Sequence, residues 1–343
     1  MITGHTGFKG SWLTLWLKLL GADICGLSLE AATLPSLFDQ VNVRDGIRHE
    51  IQDIRDFEGV ANIFNSFQPE IVIHMAAQPL VRLSYEKPIE TYATNVMGTV
   101  HILEASRRAN SVKAIVNVTT DKCYENREWI WGYRENEPMG GRDPYSSSKG
   151  CAELVSSAYG RSFFENDGIG LASARAGNVI GGGDWAKDRL IPDLLNDLEK
   201  GSILEIRNPN AIRPWQHVLE PLSGYLMLAQ ELYERKSDFS GGWNFGPNDD
   251  GAQTVEWVAK TLASKWGAES SVVSQSGNHP HEANFLKLDI SKAQQQLGWQ
   301  PRWSLDVALD KIVTWHKAWI SKNDIQGLCT QQIQEYNSKK VYP

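Results

Sequence analysis

The sequence predicts an α/β protein: a doubly wound parallel sheet followed by a smaller, mixed α/β lobe. Three observations support this fold class. Strand-like and helix-like segments alternate at βαβ spacing as far as about residue 181. Several strand candidates, such as EIVIHMAA at 70–77, are almost wholly apolar, as parallel strands covered on both faces should be. A glycine-rich segment, GHTGFKG at 4–10, comes directly before the first helical pattern.

The elements of the predicted sheet follow in a regular order. Only residues 1–3 precede the glycines, so the first strand is expected to be truncated, because strands usually have about 5–6 residues. Apolar runs then predict strands at 23–29, 47–54, 70–77, 113–120 and 169–181. Amphipathic patterns predict helices at 11–21, 56–67, 89–110 and 145–166.

The regular alternation of predicted strands and helices ends after residue 181, where Gly, Trp and Pro interrupt shorter elements. We therefore expect residues 1–181 to form the sheet domain. Residues 182–343 should form mainly a second lobe, with some segments returning to the sheet. The final 20 or so residues are polar and are expected to pack loosely.

Composition restricts the class of protein. A net charge of −7 argues against a nucleic-acid or anionic membrane surface as the main partner. The four cysteines are scattered without a CxxC pair, which favours a reducing compartment, the cytoplasm, over a disulfide framework or a zinc site. No apolar run approaches the roughly 20 residues of a membrane span, and no signal peptide is visible.

Gly4, Gly7 and Gly10 form a GxxGxxG pattern between a strand and a helix. Glycines let the backbone approach a pyrophosphate, and the helix N-terminus supplies N–H donors. The alternative is a tight strand–helix turn without a ligand. The position at the head of a βαβ chain favours a dinucleotide site.

Residues after the next strands could complete that site. Ser28 stands where an acidic residue would bind the adenosine ribose, which leaves NAD and NADP open; no Arg follows until Arg44, which favours NAD. Asp53 and Ile54 could contact the adenine, or Asp53 could instead cap a helix. Ser28 and His5 both depart from a tight NAD site, so added NAD⁺ is expected to stimulate the protein.

Tyr145 and Lys149 are four residues apart, which places both on one helix face. A nearby ammonium favours the tyrosinate, so the phenol could exchange a proton with a substrate hydroxyl. Tyr336 and Lys340 share this spacing, but only Tyr145 follows a sheet strand that ends in a hydroxyl, Thr120. The small residues of HMAA at 74–77 would let a cofactor cross the strand ends, although close helix packing would also need them.

These features together resemble the extended short-chain dehydrogenase/reductase family, with its Rossmann sheet. The resemblance implies that Tyr145 is the general acid/base. It also implies that Lys149 lowers the pKa of Tyr145 and holds the nicotinamide ribose, while Thr120 orients the substrate. The NAD contacts implied in this way are Gly4, Thr6, Gly7, Phe8, Lys9, Gly10, Ser28, Asp53, Ile54, Ala76, Ala77, Gln78, Asn95, Tyr145 and Lys149.

The segment Thr120-Asp121-Lys122 narrows the resemblance to the nucleotide-sugar 4,6-dehydratases, which typically have Thr-Asp-Glu there. The lysine variant is similar to the dehydratases that act on CDP-glucose. The match extends to GHTGFKG, RAGNVIGGGDW, RLIPD and IRPWQHVLEP. It implies a lyase of deoxysugar and O-antigen synthesis, with CDP-glucose as substrate. It also implies a homodimer that pairs the helices at 89–110 and 145–166, with a tetramer as the alternative.

The resemblance also assigns roles at the reacting carbons. Asp121, if protonated, would be the acid that expels the C6 hydroxyl, and Lys122, if neutral, the base at C5. The implied substrate contacts are Ser84, Asn178, Trp185, Arg189, Leu190, Arg207, Arg213 and His281. Trp185 could instead be a core residue, and Asp121 and Lys122 could be a surface turn. His279, His281 and Glu282 lack metal-ligand spacing, so no metal is expected.

Three alternatives stay open from the sequence. The same scaffold could carry a dTDP-glucose 4,6-dehydratase or a nucleotide-sugar 4-epimerase, and an epimerase would have no use for Asp121 and Lys122. It could also form a non-catalytic, cofactor-sensing regulator, which needs the glycines but not the Tyr/Lys pair.

Overall fold

The computed structural model describes residues 1–268, 272–274 and 285–338. Its strands are β1 (Ile2–Thr3), β2 (Cys25–Ser28), β3 (Arg48–Ile51), β4 (Ile71–His74), β5 (Ala114–Val118), β6 (Gly170–Ala176), β7 (Asn178–Ile180), β8 (Leu204–Ile206), β9 (Ile212–His217), β10 (Gly241–Phe245), β11 (Ala252–Thr254) and β12 (Val272–Ser274).

The α-helices alternate with these strands. They are α1 (Phe8–Leu19), α2 (Leu37–Gln40), α3 (Phe57–Phe67), α4 (Val81–Glu86), α5 (Pro88–Tyr92), α6 (Gly98–Arg108), α7 (Pro144–Tyr159), α8 (Glu165–Asp167), α9 (Leu190–Lys200), α10 (Leu219–Arg235), α11 (Val255–Trp266), α12 (Ser291–Gln296), α13 (Leu305–Ile320) and α14 (Ile325–Ser338). One π-helical turn joins α5 to α6 and another joins α7 to α8, so each pair runs on as one long helix.

Seven parallel strands form the main sheet in the order β3–β2–β1–β4–β5–β6–β10. The strand order reverses between β1 and β4. In open α/β sheets, ligands bind outside the carboxyl ends of the strands at such a switch point. The predicted doubly wound fold class is therefore confirmed, and most predicted strands and helices of residues 1–181 lie within a few residues of their observed bounds. The single strand predicted at 169–181 is wrong, because the chain forms two strands there, β6 in the main sheet and β7 in a separate small sheet.

Helices cover both faces of this sheet, which explains why its central strands are mainly apolar. Every residue of β5 is buried. Alternate residues of β5 pack into two different clusters: Val116 lies with Trp12 and Leu222 on one face, and Ile115 lies with Phe64 and Ile102 on the other. A polar side chain on either face would have to be buried, so a strand in this position needs an apolar run rather than an alternating pattern.

The chain after residue 181 contributes to both parts of the molecule. β10 returns to the edge of the main sheet and pairs with β6. β7, β9 and β11 form a separate small sheet, and β8 pairs with β12. The helices α9, α11 and α13 share a second core with these strands. The division of the chain into two domains at residue 181 stays a prediction.

The expectation of a loosely packed C-terminus is wrong for the described part of it. Helix α14 buries Ile325, Cys329, Ile333 and Tyr336, which lie on one helical face. The Tyr336 hydroxyl donates a 2.6 Å hydrogen bond to the buried Glu220 carboxyl. Tyr336 is therefore a structural residue, and Lys340, its partner in the second YxxxK pattern, lies outside the described residues.

Candidate active site

The glycine loop between β1 and α1 has a backbone that other residues could not adopt. Gly4 has a φ of 77°, and a Cβ there would lie 2.8 Å from the backbone nitrogen of Ala76, just beyond β4. A Cβ on Gly10 would overlap the carbonyl oxygen of Gly4. Gly7 caps α1 without a side chain, and no acidic residue occupies the first turn. The first N–H groups of α1 are thus arranged to receive a pyrophosphate.

The polar side chains that follow β2 and β3 make hydrogen bonds to neighbouring protein groups. The Ser28 and Thr6 hydroxyls are 2.8 Å apart, and Thr6 donates to the carbonyl of Leu29. The Asp53 carboxylate accepts hydrogen bonds from its neighbour Arg55, and this pairing holds the pKa of Asp53 below its usual value. The cap of α3 is Asp56, so the alternative role of Asp53 as a helix cap is wrong.

Ile54 lies in the core on the α3–α6 side of the sheet and is 4% exposed. Its side chain fills the space that a Cβ on Gly98 would enter, and its carbonyl accepts from His101. The structure therefore places the Ile54 side chain in packing rather than on a cofactor surface.

Asn95 holds the loop after β4 in place. Its side-chain oxygen Oδ1 accepts a 2.8 Å hydrogen bond from the backbone N–H of Gln78. Its amide nitrogen donates to the Gln78 carbonyl and to the Ser148 hydroxyl of α7. Asn95 lies in the π-helical turn between α5 and α6, a feature that often occurs at functional sites. Both residues thus fix the carboxyl end of β4, with Ala76 and Ala77, against α7.

The proton-transfer candidates meet where β5 ends and α7 begins. The Thr120 hydroxyl donates to Asp121 Oδ1 at 2.9 Å. Asp143 caps α7, which places Tyr145 in its first turn. Lys149 lies one turn further on and donates to the Val118 carbonyl at 3.2 Å. Because Thr120, Asp121 and Tyr145 are all buried at the wall of one cleft, Asp121 is not part of a surface turn.

Burial dominates the protonation of these groups. It raises the pKa of Tyr145 to about 12, although a hydrogen bond with Thr120 acts in the opposite direction. It lowers the pKa of Lys149 to about 8. The expected lowering of the Tyr145 pKa is therefore not seen in this structure, because loss of solvent disfavours the phenolate more than its neighbours stabilise it.

Burial also raises the pKa of Asp121, against the attraction of Lys122 and Arg213. Asp121 Oδ2 has no hydrogen-bond partner among the described residues. Loss of solvent disfavours the charged form of such a carboxyl group, and Oδ2 is left available for a hydrogen bond. The role of Asp121 as an acid stays a prediction.

The cleft that these residues line has a volume of about 580 Å³. Its wall includes predicted cofactor, catalytic and substrate residues. These are Phe8, Lys9, Thr120, Asp121, Lys122, Tyr145, Asn178, Arg189, Leu190, Arg207 and Arg213. Lys9 is half-buried near Lys149 and Arg189, and its pKa is lowered to about 7 by the loss of solvent and by these charges. The tertiary structure thus brings together residues that are up to about 200 positions apart in the chain.

Two predicted substrate residues lie elsewhere. Ser84 is 0% exposed and donates to the Val81 carbonyl of its own helix, so its hydroxyl is not on the cleft wall. Trp185 packs edge-on against Trp315 and Trp319, which supports its alternative role as a core residue. His281 lies outside the described residues.

A buried ion pair next to the end of β5, the strand that leads to Thr120, was not predicted from the sequence. Arg175 of β6 makes two hydrogen bonds to Glu153 of α7, at 2.9 and 2.8 Å. Glu153 also accepts from Thr119, the neighbour of Thr120. This network fixes the end of β5 against α7. An arginine inside the otherwise apolar run of β6 was the available signal, because such a charge is retained only with a partner.

Six charged residues of the cleft wall were also missed: Arg82, Asp184, Asp188, Asp193, Asp197 and Glu205. Asp184 pairs with Arg189 at 2.8 Å, while Asp188 lies 3.1 Å from Arg82. These two carboxylates are adjacent to predicted residues in sequence, but nothing in the local pattern shows that they face the cleft.

The described residues contain no group of three His, Cys, Asp or Glu side chains that could hold a metal ion. Within the same ranges, no helix has both the length and the apolar surface needed to cross a membrane.

Comparisons with known proteins agree with this geometry. Residues 1–312 match the family described as GDP-mannose 4,6 dehydratase. The chain is 60% identical to the CDP-glucose 4,6-dehydratase of Salmonella typhimurium over 342 residues, 98% of this chain and 95% of that protein.

Solved structures show the same fold. A dTDP-glucose 4,6-dehydratase from Streptomyces venezuelae, solved with NAD bound, superposes with a TM-score of 0.80 at 24% identity and covers 95% of this chain and 98% of that one. A UDP-glucose 4-epimerase from Thermus thermophilus, also solved with NAD, gives the same TM-score at 24% identity, with 92% and 98% covered.

Proposed function

This chain belongs to the GDP-mannose 4,6 dehydratase family, and from that premise we propose that it is an NAD-dependent lyase that converts CDP-glucose to CDP-4-keto-6-deoxyglucose and water. The observation that carries the proposal is Asp121, a buried carboxyl with a raised pKa beside Tyr145. Oxidation at C4 needs only one proton-transfer group, whereas removal of water across C5 and C6 needs a second acid and a base.

The glycine loop fits NAD, because side chains at Gly4 and Gly10 would fill the space where backbone and pyrophosphate must approach. Gly4, Thr6, Gly7, Phe8, Lys9 and Gly10 would hold the phosphates; Ser28 and Asp53 the adenosine; and Ala76, Ala77, Gln78, Asn95, Tyr145 and Lys149 the nicotinamide half. When bound, NAD supplies the hydride acceptor for oxidation at C4 and returns that hydride to C6.

The residues of this chain then handle protons and orientation. In its phenolate form Tyr145 takes the proton of the C4 hydroxyl, and Thr120, which hydrogen-bonds Tyr145, orients that hydroxyl. The C4 ketone acidifies the C5 hydrogen, which Lys122 removes as the base and returns to C5 as a proton when the hydride reaches C6. Asp121 donates its proton to the C6 hydroxyl, which leaves as water. Arg189, Arg207 and Arg213 bind the diphosphate, because guanidinium groups match phosphate geometry.

The substrate assignment is tested by incubating the protein with CDP-, dTDP-, UDP- and GDP-glucose, with and without added NAD⁺. We expect mass spectrometry and NMR to show loss of one water, with a keto group at C4, from CDP-glucose. Added NAD⁺ should increase the rate. Dehydration of another nucleotide sugar instead would mean that the protein prefers a different substrate. Epimerisation at C4 without loss of water would refute the assignment as a dehydratase. A rate unaffected by NAD⁺ would mean that the cofactor stays bound through purification.

The proposal includes a homodimer in a reducing compartment, the cytoplasm. The four cysteines are free thiols, as such a compartment favours. The long helices α5–α6 and α7–α8 expose apolar side chains, which commonly mark an interface. These are Ile89, Tyr92, Met97, Leu154 and Phe163.

Sedimentation velocity tests this pairing. The protein is expected to sediment as a dimer, and Leu154→Glu is expected to shift it towards monomer, because the charge would be buried without a partner. Ile320→Glu, at an exposed position of α13, is the matched control and should leave the dimer unchanged. A monomeric wild-type protein at micromolar concentration would contradict the proposal.

A further inference from the structure

Three charged residues meet across the cleft. Asp188 lies in the loop before α9, Arg82 in the first turn of α4, and Arg207 just after β8. Arg82 Nη1 is 3.1 Å from Asp188 Oδ1, and Arg207 Nη1 is 3.5 Å from the same oxygen. Arg207 also donates to the backbone carbonyl of Asp188 at 3.2 Å. All three residues line the cleft described above.

The two arginines come from different parts of the fold. Arg82 follows β4 of the main sheet, whereas Arg207 follows β8 on the side of the cleft built by the second core. Asp188 therefore links one wall of the cleft to the other through a shared carboxylate oxygen. Its φ of 63° lies in the left-handed region, and that turn presents both its carbonyl and its carboxylate to Arg207.

Asp188 is a carboxylate that both arginines share, and Arg207 also lies 3.9 Å from Asp193 Oδ2. The diphosphate of a nucleotide sugar carries two negative charges and would neutralise both arginines, and each guanidinium can bind its oxygens in a bidentate manner. The diphosphate is therefore a better partner for Arg82 and Arg207 than the single carboxylate of Asp188.

The ion pairs that Asp188 makes can be broken more readily than the ion pair of Asp184 in the same cleft. The Asp188 side chain is 45% exposed, against 31% for Arg82 and 18% for Arg207, and solvent at the carboxylate weakens both ion pairs. In contrast, Asp184, which pairs with Arg189, is only 7% exposed. Asp188 can leave its partners for water at little cost, whereas Asp184 is held in place.

We propose that Asp188 is a built-in competitor for the substrate diphosphate: it holds Arg82 and Arg207 across the cleft and is displaced when the diphosphate binds. This inference rests on the proposed function, in which a nucleotide sugar enters the cleft. Asp188 is then a positioning residue that weakens the binding of substrate and product alike, because both carry the same diphosphate. Because Asp188 occupies both arginines, it reduces their binding of other small anions. It also favours the release of product.

The test is calorimetric titration of the full-length protein with CDP. Asp188→Asn and Asp188→Gly both remove the carboxylate, and both residues tolerate a positive φ, so the loop should keep its conformation. We expect both variants to bind CDP roughly three- to tenfold more tightly, the range that weak exposed ion pairs allow. The KM for the nucleotide sugar should fall by the same factor, while Asp188→Glu should restore the wild-type values.

Asp310→Asn is the matched control, because it removes one carboxylate from an exposed ion pair with Lys265 far along the chain on α13. It should leave CDP affinity unchanged, which separates the local effect from the change in net charge. Weaker or unchanged CDP binding by both Asp188 variants would overturn the proposal and would mean that Asp188 orients the arginines for the phosphates.

Parallel titrations with dTDP and UDP separate this inference from the substrate assignment. If another nucleotide diphosphate binds best, the CDP-glucose assignment fails, but that nucleotide should still bind more tightly to the Asp188 variants. If the preferred nucleotide gains no affinity in either variant, the competitor role fails, whatever the substrate is.

Discussion

Tyr145→Phe is expected to lower the turnover of CDP-glucose by about 10²–10⁴-fold, the usual contribution of a positioned acid/base group. The substitution removes only the phenolic oxygen. Tyr145 is 9% exposed at the cleft wall, so the ring would still fill its site. The C4 hydroxyl would then have no group to take its proton, and oxidation at C4, on which every later step depends, would stop.

The measurement is the rate of 4-keto sugar formation, followed by NMR. CDP affinity measured by calorimetry should stay close to the wild-type value, because the phenolic oxygen is assigned to chemistry rather than to the nucleotide. Tyr233→Phe is the matched control: it removes a phenolic oxygen that bonds Lys113 and Glu70 at the surface. A Tyr145→Phe protein that retained turnover within tenfold of wild type would exclude Tyr145 as the acid/base.

Asp121→Asn is expected to separate oxidation from dehydration. The amide keeps the shape of the side chain and can still accept the hydrogen bond from Thr120, but it cannot donate a proton as a carboxyl group does. Loss of water at C6 should fall by about 10²–10⁴-fold. Oxidation at C4 should continue, because Tyr145 and Lys149 are unchanged.

Mass spectrometry of the Asp121→Asn reaction should therefore show CDP-4-ketoglucose, which has lost two hydrogens but no water. Asp167→Asn, an exposed residue of α8, is the control for loss of a carboxylate. If Asp121→Asn still released water at the wild-type rate, the acid would have to be another group. If the wild-type protein gave a C4 epimer and Asp121→Asn left that activity unchanged, the dehydratase mechanism would be wrong.

The sequence by itself determined the elements whose signal is local. Apolar runs located β4, β5 and β6, because a parallel strand buried on both faces is apolar along most of its length. The glycine spacing located the loop before α1, and the spacing of four placed Tyr145 and Lys149 on one face of α7. These patterns depend on the backbone of one element, so they can be read from neighbouring residues.

Only the tertiary structure decided which distant residues meet. Nothing near α14 in sequence shows that Tyr336 reaches Glu220, and nothing near Ser84 shows that its hydroxyl turns into its own helix. The same holds for Asp188, which pairs with arginines more than 100 positions upstream and about 20 positions downstream. The tertiary structure also sets the pKa of Tyr145, because that pKa depends on how much solvent the whole fold removes from the phenol. Long-range contacts and burial are properties of the packed chain, and no local pattern of residues encodes them.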